Sequence, residues 1–425
     1  MPRVAHGDIA VGWRRKQEKF MVNGRAGLRR RLVPVLSAIV LVGLVGSLTS
    51  CTKEATYSDQ VGSSARFDDM LKPTLAVTEW ANKPLVDDAI GIQPGAPITV
   101  KAGGGSLTSV TINKADGSPL KGELSADGTT WTSAEPFGYN RRYTVNAKAA
   151  GVGGESMSNV SFTTRAPQNL TQAYLVPRNG ETVGVGQPVA VKFDEPITNK
   201  KAAQAAIKVT TTPAVEGAFY WISDQEVRWR PKEYWKTGTK VDVAVNTYGI
   251  DLGGGLFGQE NLRSSFKIGR SMIITADDKT KQVVFRRDGK VIRKMPTSMG
   301  KDATPTDNGV YLVGDKHSML VMDSSTYGVP VTSADGYRTP VDYATQMSYS
   351  GIYFHSAPWS VWAQGNTNTS HGCLNLSPDN ALWVMNTTLR GDPVEVRHTV
   401  GGRLPGTDGL GDWNVPWSVW SKGNA

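Results

Sequence analysis

This 425-residue sequence contains very little cysteine, which occurs only at positions 51 and 373. Residues 75–269, whose β-rich pattern is described below, contain neither cysteine, so any β-sandwich there must form without disulfides. The Gly-rich loop at 251–255 lacks the clustered carboxylates of a calcium site. Other Gly-rich turns lack the spacing of a phosphate or dinucleotide loop. The sequence therefore predicts no metal and no cofactor.

A broad basic surface is also missing, although the formal net charge is +9. Residues 1–31 contain nine Lys or Arg and two Asp or Glu, a net charge of +7. Without residues 1–50, the chain keeps 38 basic and 36 acidic residues. Binding to nucleic acid depends on a concentrated positive surface, so nucleic acid is not an expected partner.

Most of the excess positive charge lies in an N-terminal segment of the kind that directs secretion. Three arginines at 29–31 precede an apolar run over 32–48, which is followed by Leu48-Thr49-Ser50-Cys51. This is the pattern of a signal peptide, and its end resembles the lipobox of bacterial lipoproteins. We predict a signal peptide over 1–50, lipidation of Cys51 and anchoring to the outer face of the plasma membrane. An uncleaved membrane anchor is the alternative, and Met21 is an alternative start.

After a polar tether at 51–74, residues 75–269 show short alternating runs separated by Gly- and Asp-rich turns. Turns at roughly 8–12-residue spacing are typical of β-sandwiches. The first half, 75–166, contains the dipeptides Val-Asn, Gly-Gly and Ser-Phe in this order, and the second half, 167–269, contains them in the same order at similar spacing. We predict two immunoglobulin-like sandwiches, with one short helix at 201–207. Neither half has a catalytic cluster, so both are expected to be spacer or docking modules.

Residues 270–400 predict a third, mainly β domain with one or two helices. Residues 272–276 and 282–286 flank a polar turn, which indicates a β-hairpin. Helical periodicity follows the Ser377-Pro378 start signal, over 379–389.

Residues 401–425 form a Trp-rich C-terminal tail. Within it, residues 416–420 repeat the sequence Pro-Trp-Ser-Val-Trp of residues 358–362. Several tryptophans in a short irregular segment tend to pack against a neighbouring surface. We therefore expect the tail to clasp the third domain to the preceding sandwich.

Cys373 lies in Thr369-Ser370-His371-Gly372-Cys373-Leu374-Asn375-Leu376, where small polar neighbours and glycine favour an exposed turn. A lone cysteine with histidines in reach is the sequence form of a thiol nucleophile. A buried, inert cysteine is the commoner alternative. With Cys51 lipidated, Cys373 would be an unpaired thiol outside the cytoplasm, which favours a reactive role. Both His371, which shares a face with the thiol on an extended chain, and His355 are candidate bases.

The segments His355-Ser356 and Ser370-His371-Gly372-Cys373 resemble the signature of L,D-transpeptidases, the YkuD-type cell-wall enzymes. The resemblance covers nearly the whole mature chain and is close to mycobacterial-type lipoprotein members with two immunoglobulin-like domains. It implies that Cys373 attacks the third residue of a peptidoglycan stem tetrapeptide and expels D-Ala. The amine of a second stem then resolves the acyl-enzyme as a 3→3 cross-link. It further implies His355 as base, the Ser356 carbonyl as its holder, and backbone N–H groups of His371, Gly372 and Cys373 as oxyanion donors.

The resemblance also implies a set of substrate-binding residues: Tyr337, Ser350, Gly351 and Asn375. Tyr327 lies on a Gly/Pro/Ser-rich connection that is expected to fold over the thiol, and Trp359 is expected in the wall of the site. Carbapenems, which mimic the stem, are expected covalent inhibitors. An L,D-carboxypeptidase or a protein-to-wall transferase would share the acyl-enzyme. The non-enzymatic alternative is a wall-binding lipoprotein.

Overall fold

The computed structural model of the protein describes residues 67–114, 116–334 and 336–425, without the side chains of Phe67, Asp68 and Tyr327. The predicted signal peptide, the predicted lipidation at Cys51 and most of the tether lie outside the described residues. Within those residues, no helix combines the length and the apolar character needed to cross a bilayer. The described chain begins with a one-turn helix, α1 (Phe67–Met70).

The first sandwich consists of two antiparallel-rich sheets. Its strands are β1 (Thr74–Glu79), β2 (Lys83–Pro84), β3 (Ala89–Ile92), β4 (Thr99–Gly103), β5 (Gly105–Asn113), β6 (Gly122–Leu124), β7 (Thr130–Ser133), β8 (Arg142–Gly151) and β9 (Gly154–Thr164). One sheet has the order β2-β1-β4-β7-β6 and the other β3-β9-β8-β5. Alternation along β8 buries Tyr143, Val145 and Ala147, which meet Trp131 from the facing sheet. The apolar face of each sheet thus forms the core.

The second sandwich repeats this plan. Its strands are β10 (Asn169–Thr171), β11 (Ala173–Val176), β12 (Thr182–Val183), β13 (Val189–Phe193), β14 (Ile207–Thr212), β15 (Gly217–Trp221), β16 (Glu226–Pro231), β17 (Lys240–Val245), β18 (Leu256–Gly258) and β19 (Leu262–Ile268). The sheets have the orders β11-β13-β16-β15 and β12-β19-β17-β14, beside a two-stranded pair of β10 and β18. The predicted helix is α2 (Lys200–Ala205), capped by the Asn199 side chain. It ends before Ile207, which begins β14.

Two tyrosines join the sandwiches. The Tyr139 hydroxyl donates to the Gly258 carbonyl at 2.7 Å, and the Tyr248 hydroxyl donates to the Phe137 carbonyl at 2.6 Å. Their rings lie 4.8 Å apart. Burial raises the pKa of Tyr248 to about 12, so this hydroxyl stays a donor at physiological pH.

The third domain contains two sheets and one longer helix. Its elements are β20 (Met272–Asp277), β21 (Gln282–Arg287), β22 (Lys290–Pro296), β23 (Gly309–Leu312), β24 (Lys316–Asp323), β25 (Arg338–Gln346), β26 (Tyr353–Ser356), β27 (Leu374–Leu376), α3 (Pro378–Thr387) and β28 (Pro393–Arg397). The sheet orders are β22-β21-β20-β28-β23 and β24-β25-β26-β27. Phe285, Tyr311 and Phe354 are fully buried in the shared core, with Val384 of α3.

The local predictions for this domain are confirmed. Strands β20 and β21 pair as the predicted hairpin, with Asp277 opposite Gln282 at its turn. Helix α3 starts where the sequence indicated, because the Ser377 hydroxyl accepts from the Asn380 amide and Pro378 occupies the first helical position. It ends two residues earlier than predicted, since Thr388 has an extended backbone.

The tryptophans of the tail pack against the second sandwich, as predicted. The indole N–H of Trp413 donates to the Gly186 carbonyl at 2.7 Å, and that of Trp420 donates to the Ala218 carbonyl at 2.8 Å. Trp420 is completely buried in the short helix α4 (Trp417–Trp420). The Arg230 guanidinium lies 4.4 Å from the Trp420 ring centroid and 4.5 Å from that of Trp413. Such cation–π contacts favour a buried arginine in this position.

A buried ionic cluster extends the same contact. Arg228 bonds Asp412 of the tail and Glu226 of its own strand, each at 2.7 Å. Burial alone would lower the pKa of Arg228, but the two carboxylates outweigh it and raise that pKa above its ordinary value. On the other side, the Asn414 amide donates to the Val310 carbonyl at 2.7 Å. The tail therefore bonds both the second sandwich and the third domain.

Deleting residues 404–425 should lower the melting temperature and loosen the two domains, because Arg228 and Arg230 would lose their partners. The single change Trp420→Ala should cost about 3–5 kcal/mol of unfolding free energy, the usual cost of removing a buried tryptophan. Calorimetry of the full chain measures this. Val419→Ala, on the exposed side of the same helix, is the matched control and should change stability by less than about 0.5 kcal/mol. Unchanged stability of the deletion would refute the clasp.

Candidate active site

Cys373 and His355 come together because β26 and β27 pair in parallel. In this register His355 lies opposite Asn375, and Phe354 lies opposite Leu374. Residues two apart on an extended chain point to the same face, so Cys373 shares the face of Asn375 and His355. Phe354 and Leu374 point the other way, into the core. Two short strands thus place a thiol, an imidazole and an amide side by side.

The His355 imidazole is buried, and its Nδ1 lies 3.0 Å from the backbone carbonyl oxygen of Ser356. A carbonyl only accepts, so Nδ1 carries the hydrogen and Nε2 keeps a lone pair. Burial lowers the pKa of His355 and outweighs the opposing effect of the Ser356 bond. The Trp359 indole lies along the ring, with the centroids 6.1 Å apart. The site thus holds a neutral imidazole in one tautomer without a carboxylate partner.

The Cys373 thiol is buried, which corrects the exposed turn expected from its small polar neighbours. It packs in an apolar cluster with Met322, Val341 and Tyr353. Burial raises the pKa of the thiol to about 12, against a smaller lowering effect of the Tyr353 backbone amide. The Sγ atom donates to the Gly351 carbonyl at 3.4 Å. At neutral pH the thiol is therefore protonated and needs a base to react.

Two hydroxyl groups hold the backbone of the loop before Cys373. Ser370 Oγ donates to the Cys373 carbonyl at 2.6 Å and accepts from the Gly372 amide at 3.1 Å. Thr306 Oγ1 donates to the Gly372 carbonyl at 2.6 Å and accepts from the Gly300 amide at 3.1 Å. Gly372 has a φ of +125°, and a Cβ there would approach a neighbouring side-chain carbon to 2.7 Å, so glycine is required. The Gly372 amide, expected among the oxyanion donors, bonds Ser370 in this structure.

His371, the other candidate base, faces outward. Its Nε2 lies 3.4 Å from Lys301 Nζ, and its ring centroid lies 5.2 Å from that of Tyr337. An ammonium only donates, so Nε2 of His371 accepts in this contact. Among the described residues, no group of three or more His, Cys, Asp or Glu side chains is arranged to hold a metal ion.

A cavity of about 380 Å³ opens on the shared face of the two strands. Its lining residues come from β24, the start of β25 and the residue before it, β26 and the turn after it, and β27 with the loop before it: Met322, Tyr337, Thr339, Val341, His355, Trp359, Thr369, Ser370, His371, Cys373 and Asn375. The Asn375 amide donates to Ser360 Oγ at 3.0 Å, while its Oδ1 is buried without a hydrogen-bond partner in the described chain. A buried oxygen left unpaired is costly, so this atom offers an acceptor to a ligand N–H.

Two more of the predicted substrate residues lie in a neighbouring cavity. Ser350 and Gly351 line this smaller space of about 110 Å³, which shares Tyr337 and His371 with the larger one. Tyr327 ends a 3₁₀ helix that starts at Ser324, and its side chain lies outside the described part of the chain. The predicted residues are thus divided between two adjoining cavities rather than one.

Sequence reasoning missed two of the residues that support the site. Thr306 lies 66 residues before Gly372 along the chain, and nothing in its local pattern indicates the contact. Ser360, which holds the Asn375 amide, was visible only as the middle of the repeated pentapeptide. Ser370 lies in the motif itself, but its hydrogen bonds depend on the folded loop.

Two immunoglobulin-like sandwiches followed by a β-rich domain with a buried thiol define the class of protein, and comparison with known families agrees. A bacterial Ig domain family matches residues 89–251. The L,D-transpeptidase catalytic domain family, YkuD, matches residues 271–396. The chain belongs to the L,D-transpeptidase family, which confirms the resemblance seen in its sequence.

Proteins similar to this chain are also named L,D-transpeptidases. The chain is 53% identical over 403 residues to L,D-transpeptidase 2 of Mycobacterium tuberculosis, a match covering 95% of this chain and 97% of that protein. It is 36% identical to L,D-transpeptidase 5 of the same species, over 79% of this chain and 74% of that protein. A solved LD transpeptidase in complex with imipenem is 40% identical over 53% of this chain and 97% of its own, with a TM-score of 0.47.

Proposed function

We propose that the protein is a peptidoglycan L,D-transpeptidase that forms 3→3 cross-links through an acyl-enzyme on Cys373. The observation that carries the proposal is the placement of Cys373 and His355 on one face of paired strands, in one cavity. This is the arrangement that an activated thiol nucleophile requires. Family membership supports the same chemistry.

In the first half-reaction, Nε2 of His355 accepts the proton of the Cys373 thiol. The sulfur attacks the carbonyl carbon of the third stem residue, and a tetrahedral oxyanion forms. Collapse of this intermediate breaks the C–N bond to the terminal D-Ala, which leaves with the proton from His355. A thioester on Cys373 remains. Since Sγ points to the Gly351 carbonyl in the free protein, its bond to His355 forms when substrate enters, as in other enzymes whose catalytic contacts tighten in the complex.

In the second half-reaction, the side-chain amine of a second stem attacks the thioester carbonyl. His355 accepts a proton from this amine and returns it to the departing Cys373 sulfur. The new amide is the 3→3 cross-link. Replacing the amine by water would give hydrolysis, which is the carboxypeptidase alternative.

The charge on the oxyanion requires donors held in place before reaction. The backbone N–H of Cys373 itself is the first candidate, because the Gly372 amide already bonds Ser370. Thr306 and Ser370 fix the orientation of this segment. Asn375 Oδ1 would accept from a stem amide, which would satisfy the unpaired oxygen. Tyr337, between the two cavities, would contact the stem.

Two further features belong to the proposal. Relatives solved with imipenem or with a faropenem-derived adduct support covalent inhibition of this chain by β-lactams of that kind. The signal peptide and lipidation of Cys51 would anchor the enzyme outside the cytoplasm, next to the growing wall, where its substrate lies.

Product analysis with a synthetic stem tetrapeptide tests the function. The full chain should release D-Ala and form a peptide dimer joined between the two third residues, identified by tandem mass spectrometry. Tripeptide without dimer would instead identify a carboxypeptidase. Absence of D-Ala release, with the thiol titrated as intact, would refute an L,D-acyl transfer activity.

A further inference from the structure

A group of exposed apolar side chains stands at the rim of the larger cavity. Trp359, Val361 and Trp362 are 54%, 49% and 71% exposed, on the turn of residues 358–362 that follows β26. We call this the aromatic turn. Trp359 also lines the cavity and lies along His355, so the exposed surface is continuous with the candidate active site.

The repeated pentapeptide shows what is unusual about this turn. In the tail, the same sequence buries its last tryptophan completely: Trp420 bonds the Ala218 carbonyl and stacks on Tyr220 at 5.0 Å. Trp362 occupies the equivalent position in the aromatic turn but keeps most of its ring in solvent. A large exposed ring beside a cavity indicates a binding surface more often than a random surface residue does.

The aromatic turn is held rigidly. Ser360 Oγ accepts from the Asn375 amide at 3.0 Å and donates to the Ala357 carbonyl at 3.3 Å. Beyond the turn, the Gly365 amide donates to the Thr297 carbonyl at 2.9 Å. The rings are thus presented in a fixed place, which reduces the entropy lost on binding.

The segment of the chain that carries the turn has no formally charged residue. Between Ser356 and Pro378 the sequence contains no Asp, Glu, Lys or Arg. The exposed residues after Trp362 include Asn366 and Thr367. Their side chains are uncharged and can form hydrogen bonds with neutral polar groups of a ligand. An anionic polymer or an acidic membrane surface would be expected to meet basic side chains. An uncharged ligand with apolar faces and hydroxyl or amide edges fits this surface better.

We propose that the aromatic turn binds the N-acetyl sugar to which the stem peptide is attached, with Trp362 stacking on the sugar ring. The inference rests on the proposed function, because the stem in the cavity is what brings the sugar to the rim. The lactyl carboxyl of that sugar is consumed in the amide bond to the stem, so the sugar is uncharged. The turn would thereby select stems that belong to glycan strands over free peptides.

The test compares two donors, a stem tetrapeptide alone and the same tetrapeptide attached to its disaccharide. Trp362→Ala in the full chain should lower kcat/KM for the disaccharide donor by about two- to tenfold, the usual worth of one stacking ring, and leave the free peptide unchanged. Trp362→Phe should restore part of the loss. Trp80→Ala, which removes a 61% exposed tryptophan from the first sandwich, is the matched control and should change neither value.

A binding measurement separates this inference from the proposed function. In Cys373→Ala, which cannot turn over, calorimetric affinity for the disaccharide peptide should also fall when Trp362 is replaced. Equal effects on both donors, or no effect on either donor, would overturn the inference. So would a Trp362→Ala defect confined to binding of phosphatidylglycerol vesicles, which would make the turn a membrane contact. If the wild type released no D-Ala from either donor but its affinity still depended on the sugar, only the proposed reaction would be refuted.

Discussion

Replacing Cys373 by alanine should abolish D-Ala release from the stem tetrapeptide, with a loss of about 10⁴-fold or more, because no other atom in the cavity can form the thioester. The same change should remove the mass increase that we expect imipenem to produce on the wild-type chain. Intact-mass spectrometry of the full chain measures the adduct, and a coupled assay for D-Ala measures turnover. The two measurements use different acyl donors, imipenem and the stem tetrapeptide. If both effects disappear in the same variant, both donors react with the Cys373 sulfur.

The second cysteine provides the matched control. Cys51→Ser should keep one imipenem adduct per chain and full D-Ala release in detergent solution, since Cys51 lies outside the catalytic domain. An equal adduct on Cys373→Ala and wild type, or its loss in Cys51→Ser alone, would contradict the assignment. Cys373→Ser should be inactive like the alanine variant, because a hydroxyl is a far weaker nucleophile at the same position.

Local sequence patterns were sufficient to predict much of the fold. Strand β16 shows what they could not predict, namely which strand face is covered by a distant part of the chain. Residues 226–230 alternate between apolar and charged side chains, a pattern typical of a strand that places Arg228 and Arg230 on one face and Val227 and Trp229 on the other. In the structure both arginines are buried, because Asp412 and the tail tryptophans cover that face. Their hydrogen-bond partners in the tail, Asp412 and Val415, lie 184 and 185 positions away along the chain, and periodicity carries no information about such contacts.

The candidate site shows the same division. Because histidine and cysteine are rare in this chain, the sequence pointed to His355, His371 and Cys373 as candidates, and the structure places all three in the lining of one cavity. The burial of the thiol could not be predicted, because it depends on Met322 and Val341 from another part of the sheet. The hydroxyls of Thr306 and Ser370 likewise acquire their role only once the loop has closed around them.

Replacing His355 by glutamine should slow acylation by about 10²- to 10⁴-fold, the usual contribution of a general base, and should change the pH profile. Burial lowers the pKa of His355, so wild-type acylation should fall only on the acid side, as the imidazole gains a proton. It should be level at neutral pH, where Nε2 is unprotonated. Without the base, reaction depends on the thiolate alone. Since the pKa of the thiol is raised to about 12, the variant's rate should rise about tenfold per pH unit through the alkaline range. Stopped-flow measurement of imipenem acylation gives both profiles.

The matched variant His371→Gln decides between the two histidines. Its backbone amides are unchanged, and its side chain faces Lys301 and Tyr337 rather than Ser356. If His355 is the base, the His371 variant keeps the level neutral region of the wild type, whatever its absolute rate. A continuous alkaline rise in His371→Gln, together with a wild-type profile in His355→Gln, would assign the base to His371. The shape of the profile is the decisive readout, because a loss of packing alone lowers the rate without making it depend on the thiolate.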